Sequence, residues 1–211
     1  MRRSLNVGQE SQSRVVVMSV SMRTRVRAKM RSELALQMYP LFAEQGIETV
    51  TAEQAAKEAG ISRATFFRYF SSKEEAVVTA VHAVGTDLAS VMEQLEPRSA
   101  ESILEMLRRC FDASVIAVEA DPSLVRGRMQ LVLSSPSLRA AWSMQRSETE
   151  KSLAAALNEH CGNLRLAQTA TVIALTLHEH ALMRWLESED ISFRDALDEA
   201  FDYAAMLDTP R

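Results

Sequence analysis

The stretch from Thr51 to Lys73 constrains the fold of this 211-residue chain more than any other part of the sequence. Thr51 is followed three residues later by Gln54, the spacing of a capping box, which predicts that a helix begins there. Gly60 suits the left-handed conformation that ends such a helix, and Ser62 is a favourable N-cap for a second one. The stretch therefore predicts two short helices joined by a tight turn.

The second short helix is predicted to direct an unusual set of side chains outward. Phe66 and Phe70 lie four residues apart, so they share one face and are expected in the core. The positions left facing outward are Arg63, Ala64, Phe67 and Tyr69. A cation, a small residue and two aromatic rings are not typical of a solvated face. Two short helices with a glycine-containing turn indicate a helix-turn-helix, whose second helix enters the DNA major groove.

The same stretch resembles the TetR family of transcriptional regulators. Residues 60–74 match the family motif G-[VI]-S-x-x-[TS]-[LF]-[YF]-x-[YH]-F-x-[ST]-K-E, and the family's preceding L-F-x-x-x-G stands at residues 41–46. The resemblance covers residues 25–78. It implies a three-helix DNA-binding head joined to a helical body that binds a ligand and forms a homodimer.

Helix start and stop signals predict an all-α chain with about nine helices. There are only six glycines and five prolines. Pro122 and Pro136 stand where helices are expected to begin, and Gly162 where one ends. Pro40 is expected to bend the first helix. The predicted helices span residues 23–45, 51–59, 62–70, 72–95, 99–119, 122–133, 136–160, 164–187 and 191–207.

The helix-turn-helix motif and the resemblance to the TetR family imply three parts of the chain. These are a disordered N-terminal arm at residues 1–22, a helix-turn-helix DNA-binding domain at 23–75, and a ligand-binding and dimerisation domain at 76–211. Residues 1–80 carry a net charge of +4 and residues 81–211 a net charge of −8. A basic end on an acidic body fits phosphate binding by one part only. Met18 and Met22 are alternative translation starts.

The resemblance places the DNA contacts on the helix-turn-helix and on the basic residues before it. Arg63 is expected to bind either a guanine edge or a phosphate, and Phe67 to pack on a thymine methyl group or a sugar. Thr51 and Lys73 stand at helix starts and are expected to hold phosphates. The predicted DNA-binding residues are Arg25, Arg27, Thr51, Ser62, Arg63, Ala64, Thr65, Phe67, Tyr69 and Lys73.

The resemblance also implies an apolar ligand pocket in the body, although single apolar positions of this kind are more often plain core. The predicted pocket residues are Met106, Cys110, Phe111, Arg126, Met129, Leu133, Trp142, Leu177 and Trp185. Residues 126–128 and 134–139 are similar to those of family members that bind acyl-CoA-like ligands. Arginines at the mouth of an apolar tunnel suit an acyl chain with an anionic head group.

Apolar residues on the last two predicted helices exceed what one small core requires, and they predict the homodimer interface. They are Leu175, Leu182, Trp185, Leu186, Phe193, Leu197, Phe201 and Tyr203. A dimer presents two heads to successive major grooves about 34–36 Å apart.

Catalytic, metal and membrane signals are weak. His178 and His180 point about 200° apart on a helix, and Leu182 stands where His-Glu-x-x-His needs its second histidine. No glycine-rich phosphate loop, nucleophile elbow or paired-carboxylate signature is present, so no catalytic residue, metal or cofactor is predicted. Cys110 and Cys161 form no CxxC pair, and no apolar run approaches a membrane span, which favours a cytoplasmic protein with reduced thiols.

The sequence therefore predicts a DNA-binding regulator that is not an enzyme. In the favoured interpretation it is a dimeric repressor on a palindromic operator, released by a small apolar, acyl-CoA-like or fatty-acid-like ligand. Two alternatives stay open. One is a helical small-molecule-binding or catalytic protein whose helix-turn-helix is a relic, and the other is a regulator that needs no ligand.

Overall fold

The computed structural model describes residues 7–83 and 85–207, with side chains from residue 26 onward. Regular secondary structure in these ranges is entirely α-helical, which confirms the predicted all-α class. The helices are α1 Val7–Gln45, α2 Ala52–Glu58, α3 Arg63–Tyr69, α4 Lys73–Ala83, α5 Leu88–Gln94, α6 Ile103–Cys110, α7 Asp112–Ala120, α8 Pro122–Ser134, α9 Pro136–Cys161, α10 Leu164–Glu187 and α11 Phe193–Met206. They fall into two compact units, Met1–Ala83 and Val84–Arg211.

One predicted helix, at residues 72–95, is divided into α4 and α5. Asp87 begins α5 as its N-cap, because its carboxylate accepts a hydrogen bond from the backbone N–H of Ser90 at 3.2 Å. Gly85 stands just before this cap, where a helix is easily interrupted. The sequence Gly85-Thr86-Asp87 therefore carried a stop-and-start signal that the helix prediction missed.

The helix predicted for residues 99–119 is also divided, and it begins later. Ser102 and Glu105 form a capping box that starts α6 at Ile103. The break before α7 falls at Phe111, whose N–H donates to the carbonyl groups three and four residues earlier, each at 3.2 Å. These two interruptions turn the nine predicted helices into the eleven segments seen in the described ranges.

The first unit contains α1 to α4. Met38 and Phe42 of α1, Phe66 of α3 and Val77 of α4 are fully buried and form its core. Because α4 buries a continuous run from Ala76 to Val81, it belongs to the head. The head therefore extends beyond the boundary predicted after residue 75.

The predicted disordered arm, residues 1–22, differs from the structure where the two can be compared. Residues 7–22 have helical backbone and belong to α1, whereas residues 1–6 lie outside the described residues. Pro40 lies inside α1 and does not end it, since the helix continues to Gln45.

The second unit contains α5 to α11 around a single apolar core. Alanines at positions 167, 174 and 181 of α10 are fully buried. Small side chains of this kind let neighbouring helices approach closely. On α9, Leu153 and Leu157 are fully buried in the same core.

The residues chosen as the dimer interface are mostly core of this unit, so that part of the prediction is wrong. Leu175, Leu182, Trp185, Phe193, Leu197 and Phe201 are buried within the chain, Leu186 packs against the same core, and Tyr203 is exposed. The prediction failed because it underestimated how large a core seven helices enclose. Other apolar side chains of α10, of α11 and of the α11 C-cap residue are exposed, namely Leu164, Leu166, Val172, Ile173, Met206 and Leu207.

Candidate functional site

The turn between α2 and α3 is fixed by the capping interactions that the sequence predicts. Thr51 Oγ1 accepts from the N–H of Gln54 at 3.2 Å, and Gln54 Oε1 accepts from the N–H of Thr51 at 2.8 Å. Gly60 adopts a left-handed conformation with φ of +64°, and Ser62 Oγ accepts from the N–H of Thr65 at 3.1 Å. The two short helices and their turn are therefore specified by local chemistry.

These caps also limit how Thr51 and Ser62 can bind DNA. The Thr51 hydroxyl and the Gln54 side-chain oxygen lie 2.9 Å apart, so both donors of Thr51 are used inside the cap. The Ser62 and Thr65 hydroxyl oxygens lie 3.0 Å apart. Thr51 therefore serves as the cap of α2, and its predicted phosphate contact stays a prediction.

The outward face of α3 has the composition predicted for it. Phe66 and Phe70 are fully buried, while Arg63 and Ala64 are exposed. Phe67 is 46% exposed, which is unusual for a ring of this size. The Arg63 guanidinium lies 5.3 Å from the centre of the Phe67 ring. Arg63 and Phe67 thus form an exposed cation–aromatic pair on a helix of the size that enters a major groove.

Tyr69, the last residue of α3, is partly buried. The Arg68 guanidinium lies 5.3 Å from the centre of its ring. Tyr69 is thus less available than Phe67 to a DNA partner, although it borders the same face. Its predicted DNA contact stays a prediction.

Lys73, predicted as a phosphate clamp, is held by the protein itself. Its ammonium group donates to the carbonyl oxygen of Ile47 and, at 3.1 Å, to that of Val50. Both carbonyl groups belong to the loop between α1 and α2. An ammonium has three donors, so at most one is left for a phosphate. Lys73 primarily fastens this loop to the start of α4.

Two of the predicted DNA contacts, Arg25 and Arg27, lie on α1. Arg25 lies in the helical backbone of α1, and its side chain lies outside the described side chains. Arg27 Nη2 donates to the carbonyl oxygen of Arg68 at 3.0 Å. Arg27 is therefore engaged with the end of α3.

An ion pair that the sequence reading missed joins α1 to α4. Arg31 pairs with Glu75, and its guanidinium lies 5.6 Å from the centre of the Phe70 ring. Glu75 also accepts from the N–H and, at 2.6 Å, from the hydroxyl of Ser71. The backbone N–H of Glu75 donates to Ser72 Oγ at 3.1 Å, so Ser72 caps the start of α4. Residues so far apart in the chain gave no local signal for the ion pair.

In the second unit, most predicted pocket residues lie together in the apolar core. Met106, Cys110, Phe111, Met129 and Trp185 are buried in one cluster, and Trp142 and Leu177 pack against it. Leu133 is instead 37% exposed and is not among these core residues. The structure thus brings seven of the nine predicted residues into one region and packs them against each other.

Arg126 of α8 contacts the end of α10. Its guanidinium lies 4.1 Å from the centre of the Trp185 ring, and it donates to the carbonyl oxygens of Leu186 and Ser188, each at 3.0 Å. These carbonyl groups stand at the end of α10, where intrahelical donors run out. Arg126 therefore caps α10, and its predicted place at a pocket mouth stays a prediction.

Two titratable side chains, Cys110 and His178, are buried at this core, and the sequence did not predict their protonation states. Burial raises the pKa of the Cys110 thiol to about 12, and its Sγ donates to the carbonyl oxygen of Leu88 at 3.3 Å. His178 Nε2 lies 3.0 Å from Ser114 Oγ, and its ring lies 4.7 Å from that of Phe111. Burial also lowers the pKa of His178 to about 4. At neutral pH the thiol is protonated and the imidazole is uncharged.

A polar surface groove of about 490 Å³ lies beside α6 and was also missed. Arg109 pairs there with Glu101 at 2.6 Å, which holds the pKa of that carboxyl below its ordinary value. Arg108 pairs with Asp112 at 2.9 Å and also with Asp198. The groove is therefore lined by mutually compensating charges.

Neither a metal-binding cluster nor a membrane-spanning helix is present among the described residues. No cluster of three or more histidine, cysteine, aspartate or glutamate side chains in these ranges is arranged to hold a metal ion. No helix in the same part of the chain combines the length and apolarity needed to cross a bilayer.

Comparison with known proteins assigns both parts of the chain. A family model of bacterial regulatory proteins of the TetR family matches residues 40–78, and a model of the MftR C-terminal domain matches residues 101–206, half of the chain. A protein assigned as the mycofactocin biosynthesis transcriptional regulator MftR of Mycobacterium tuberculosis is 27% identical, over 77% of this chain and 82% of that protein. The HTH-type transcriptional regulator TcmR of Streptomyces glaucescens is 31% identical, over 63% of this chain and 61% of its own.

Solved structures give the same fold. Thermus thermophilus FadR, a TetR-family transcriptional repressor crystallised with lauroyl-CoA, matches with a TM-score of 0.56 and 19% identity, over 86% of this chain and 96% of that one. A TetR transcriptional regulator from Rhodococcus sp. RHA1 matches with a TM-score of 0.55 and 18% identity, over 88% and 98%. The helix-turn-helix, the all-α body and the family matches together lead to one assignment: the chain belongs to the TetR family and is a DNA-binding transcriptional regulator.

Proposed function

We propose that this regulator is a dimeric repressor that binds a palindromic operator through α3 and is released by a small ligand with an apolar chain. The observation that carries the proposal is the exposed face of α3, where Arg63 stacks on the half-exposed ring of Phe67. The residues around this pair are fixed by the Ser62 cap and by the buried Phe66 and Phe70.

The chemistry of this face suits a major groove. Arg63 can donate two parallel hydrogen bonds to a guanine, and Phe67 can pack on a thymine methyl group. Ala64 has no side chain beyond a methyl group, so the helix can approach base edges closely. In this proposal Arg63 supplies base preference, and Phe67 and Ala64 supply shape complementarity.

Dimerisation is supported by apolar side chains that the second unit leaves exposed. Val172 and Ile173 on α10, Met206 on α11 and Leu207, the C-cap residue of α11, are each more than 40% exposed. Apolar residues that stand on consecutive helices favour burial against another protein surface. A second copy of the chain is the partner that a palindromic operator requires.

The ligand is proposed from the apolar core and from one similarly folded regulator. The core contains seven of the nine predicted pocket residues, and FadR was crystallised with lauroyl-CoA. An acyl chain would have to separate Phe111, Met129 and Trp185, which now pack in one cluster. Arg126 is engaged at the end of α10, so the proposal assigns it no part in binding an anionic head group.

The test is a titration of the purified protein on the DNA upstream of its own gene, at two salt concentrations, with and without lauroyl-CoA. We expect two protomers per palindrome and an affinity that falls steeply with salt, since phosphate contacts release counterions. Arg63→Ala should weaken binding by about 1–3 kcal/mol and relax base preference. Lys151→Ala is the matched control, because it removes a cation that only makes a surface pair with Glu148.

Three results would contradict parts of the proposal separately. Unchanged affinity of Arg63→Ala would remove that residue from base readout. One protomer per site would remove the dimer. Unchanged operator binding in saturating lauroyl-CoA would favour a regulator that needs no ligand of this kind, an alternative supported by the close packing of the predicted pocket residues.

A further inference from the structure

We infer that Arg27 and Arg31 of α1, with Glu75 of α4, position the C-terminal end of the DNA-reading helix α3 and do not bind DNA themselves. Arg27 and Arg31 stand four residues apart, so they lie one above the other on one face of α1. Both reach the same end of α3. The resemblance to the TetR family had instead implied a DNA contact for Arg27.

The contacts of both arginines lie at the last turn of α3. Arg27 donates to the carbonyl oxygen of Arg68, one of the last four carbonyl groups of the helix. The Arg31 guanidinium lies 5.6 Å from the centre of the ring of Phe70, the C-cap residue of α3. The end of a helix carries partial negative charge and unsatisfied carbonyl groups, so cations are stabilised there. The two side chains therefore hold α3 by the end that its own backbone leaves unsatisfied.

Glu75 determines where Arg31 can stand. One carboxylate oxygen pairs with the Arg31 guanidinium, and the other accepts from the N–H and the hydroxyl of Ser71. The carboxylate thus joins α1, the turn that follows α3 and the first turn of α4. Since Arg31 also lies against Phe70, a shift of Glu75 is passed to the end of α3 through direct contacts.

The ion pair of Arg31 and Glu75 is more buried than an ordinary surface ion pair. The side chains of Arg31 and Glu75 are 30% and 34% exposed, whereas those of Lys29 and Glu33, an ion pair on the same helix, are 80% and 51% exposed. A carboxylate on a DNA-binding head repels phosphate, so by charge alone its removal should strengthen binding. If Glu75 positions α3, its removal should weaken binding instead. Charge repulsion and positioning therefore predict changes in DNA affinity of opposite sign when Glu75 is replaced.

The experiment uses the full chain and a duplex that the wild-type protein selects from a random library. Glu75→Gln, Arg31→Ala and their double variant are titrated on this duplex and on one with a single base change. Glu33→Gln is the matched control, because it removes a carboxylate from the exposed pair on α1. Thermal unfolding is measured for each variant, and the titrations are carried out below the lowest unfolding temperature.

We expect Glu75→Gln to bind the selected duplex roughly tenfold more weakly, the size of coupling seen between groups in one network, and to discriminate less against the changed base. Glu33→Gln should bind as tightly as wild type or more tightly. The double variant should lose little more than the worse single variant, because the two residues act through each other. Tighter binding by Glu75→Gln, or additive losses in the double variant, would overturn the inference.

Arg27→Ala provides a second readout that does not depend on a partly buried ion pair. A residue that binds phosphate contributes about 0.9 to the slope of log affinity against log salt concentration. We expect Arg27→Ala to weaken binding and relax base preference while the slope stays at the wild-type value. A slope that falls by about one unit would mean that Arg27 contacts a phosphate, and the inference would be wrong for that residue.

Discussion

Replacement of Arg126 by alanine tests whether this side chain is part of the fold or part of a ligand site. Its guanidinium stacks on Trp185 at 4.1 Å and donates to the carbonyl oxygens of Leu186 and Ser188 at 3.0 Å. It thereby ties α8 to the end of α10. The alanine variant leaves two carbonyl groups without this donor and exposes one face of the Trp185 ring.

The expected loss can be worked from these contacts. Each hydrogen bond from a partly solvated guanidinium should contribute about 1 kcal/mol to the free energy of unfolding, below the range for fully buried charged donors. Stacking on the indole ring should add about 0.5–1 kcal/mol. Arg126→Ala should therefore lower the free energy of unfolding by about 2–3 kcal/mol, or the unfolding temperature by roughly 5–10 °C in a chain of this size.

The measurement is urea unfolding followed by tryptophan fluorescence, in which Trp185 is also a local reporter. Arg126→Lys should fall between wild type and alanine, because an ammonium keeps the charge but cannot present the planar fork that reaches two carbonyl groups and stacks on a ring. Lys151→Ala, which breaks a surface pair with Glu148, should change stability by less than about 1 kcal/mol.

A different pattern would refute this assignment. If Arg126→Ala unfolded like wild type and yet abolished the response to lauroyl-CoA, the guanidinium would serve the ligand, as the sequence alone suggested. Loss of stability with an intact ligand response is the result expected from its contacts with α10.

Two further predictions concern stability. Burial lowers the pKa of His178 and of His82 from 6.5 to about 4, so the unfolded chain binds more protons than the folded one between these values. The free energy of unfolding is therefore highest above pH 6.5 and falls as the pH drops toward 4. In urea unfolding, His178→Gln should reduce this fall in the free energy of unfolding by about 2–3 kcal/mol. Ala100 has φ of +61°, so Ala100→Gly should raise stability by about 0.5–1 kcal/mol, whereas Ala155→Gly within α9 should lower it by about 1 kcal/mol in thermal unfolding.

The helix-turn-helix was predictable to within about a residue because its determinants are local. The capping box of Thr51 and Gln54, the left-handed Gly60 and the N-cap Ser62 each act within a few residues, and all appear as expected. Alternation of Phe66 and Phe67 between core and surface follows from helix geometry alone. The roles of individual polar side chains were less predictable, because a sequence pattern shows where a donor stands and not what already occupies it.

Contacts between distant parts of the chain explain most of the differences. Lys73 was predicted to bind phosphate, but its ammonium meets carbonyl groups of Ile47 and Val50 across the head. Glu75 stands in the first turn of α4, and Arg31 reaches it from α1. Neither partner could be found by spacing, since each depends on how α1 packs against α4.

The body was predictable in class and less so in the use of its residues. Aromatic residues on α10 and α11 looked like surplus apolar surface, yet Trp185, Phe193 and Phe201 are needed to fill the space between the helices of the second unit. Seven of the nine predicted pocket residues lie in the same core, because apolar composition alone does not distinguish a ligand pocket from a packed interior. Whether an apolar cluster opens for a ligand depends on the free energy of separating its side chains against that of burying the ligand, and both terms scale with apolar area. A regulator of this kind can therefore have a closed core without ligand and still bind an acyl chain. Binding requires that the chain bury more apolar area than the side-chain contacts that it replaces.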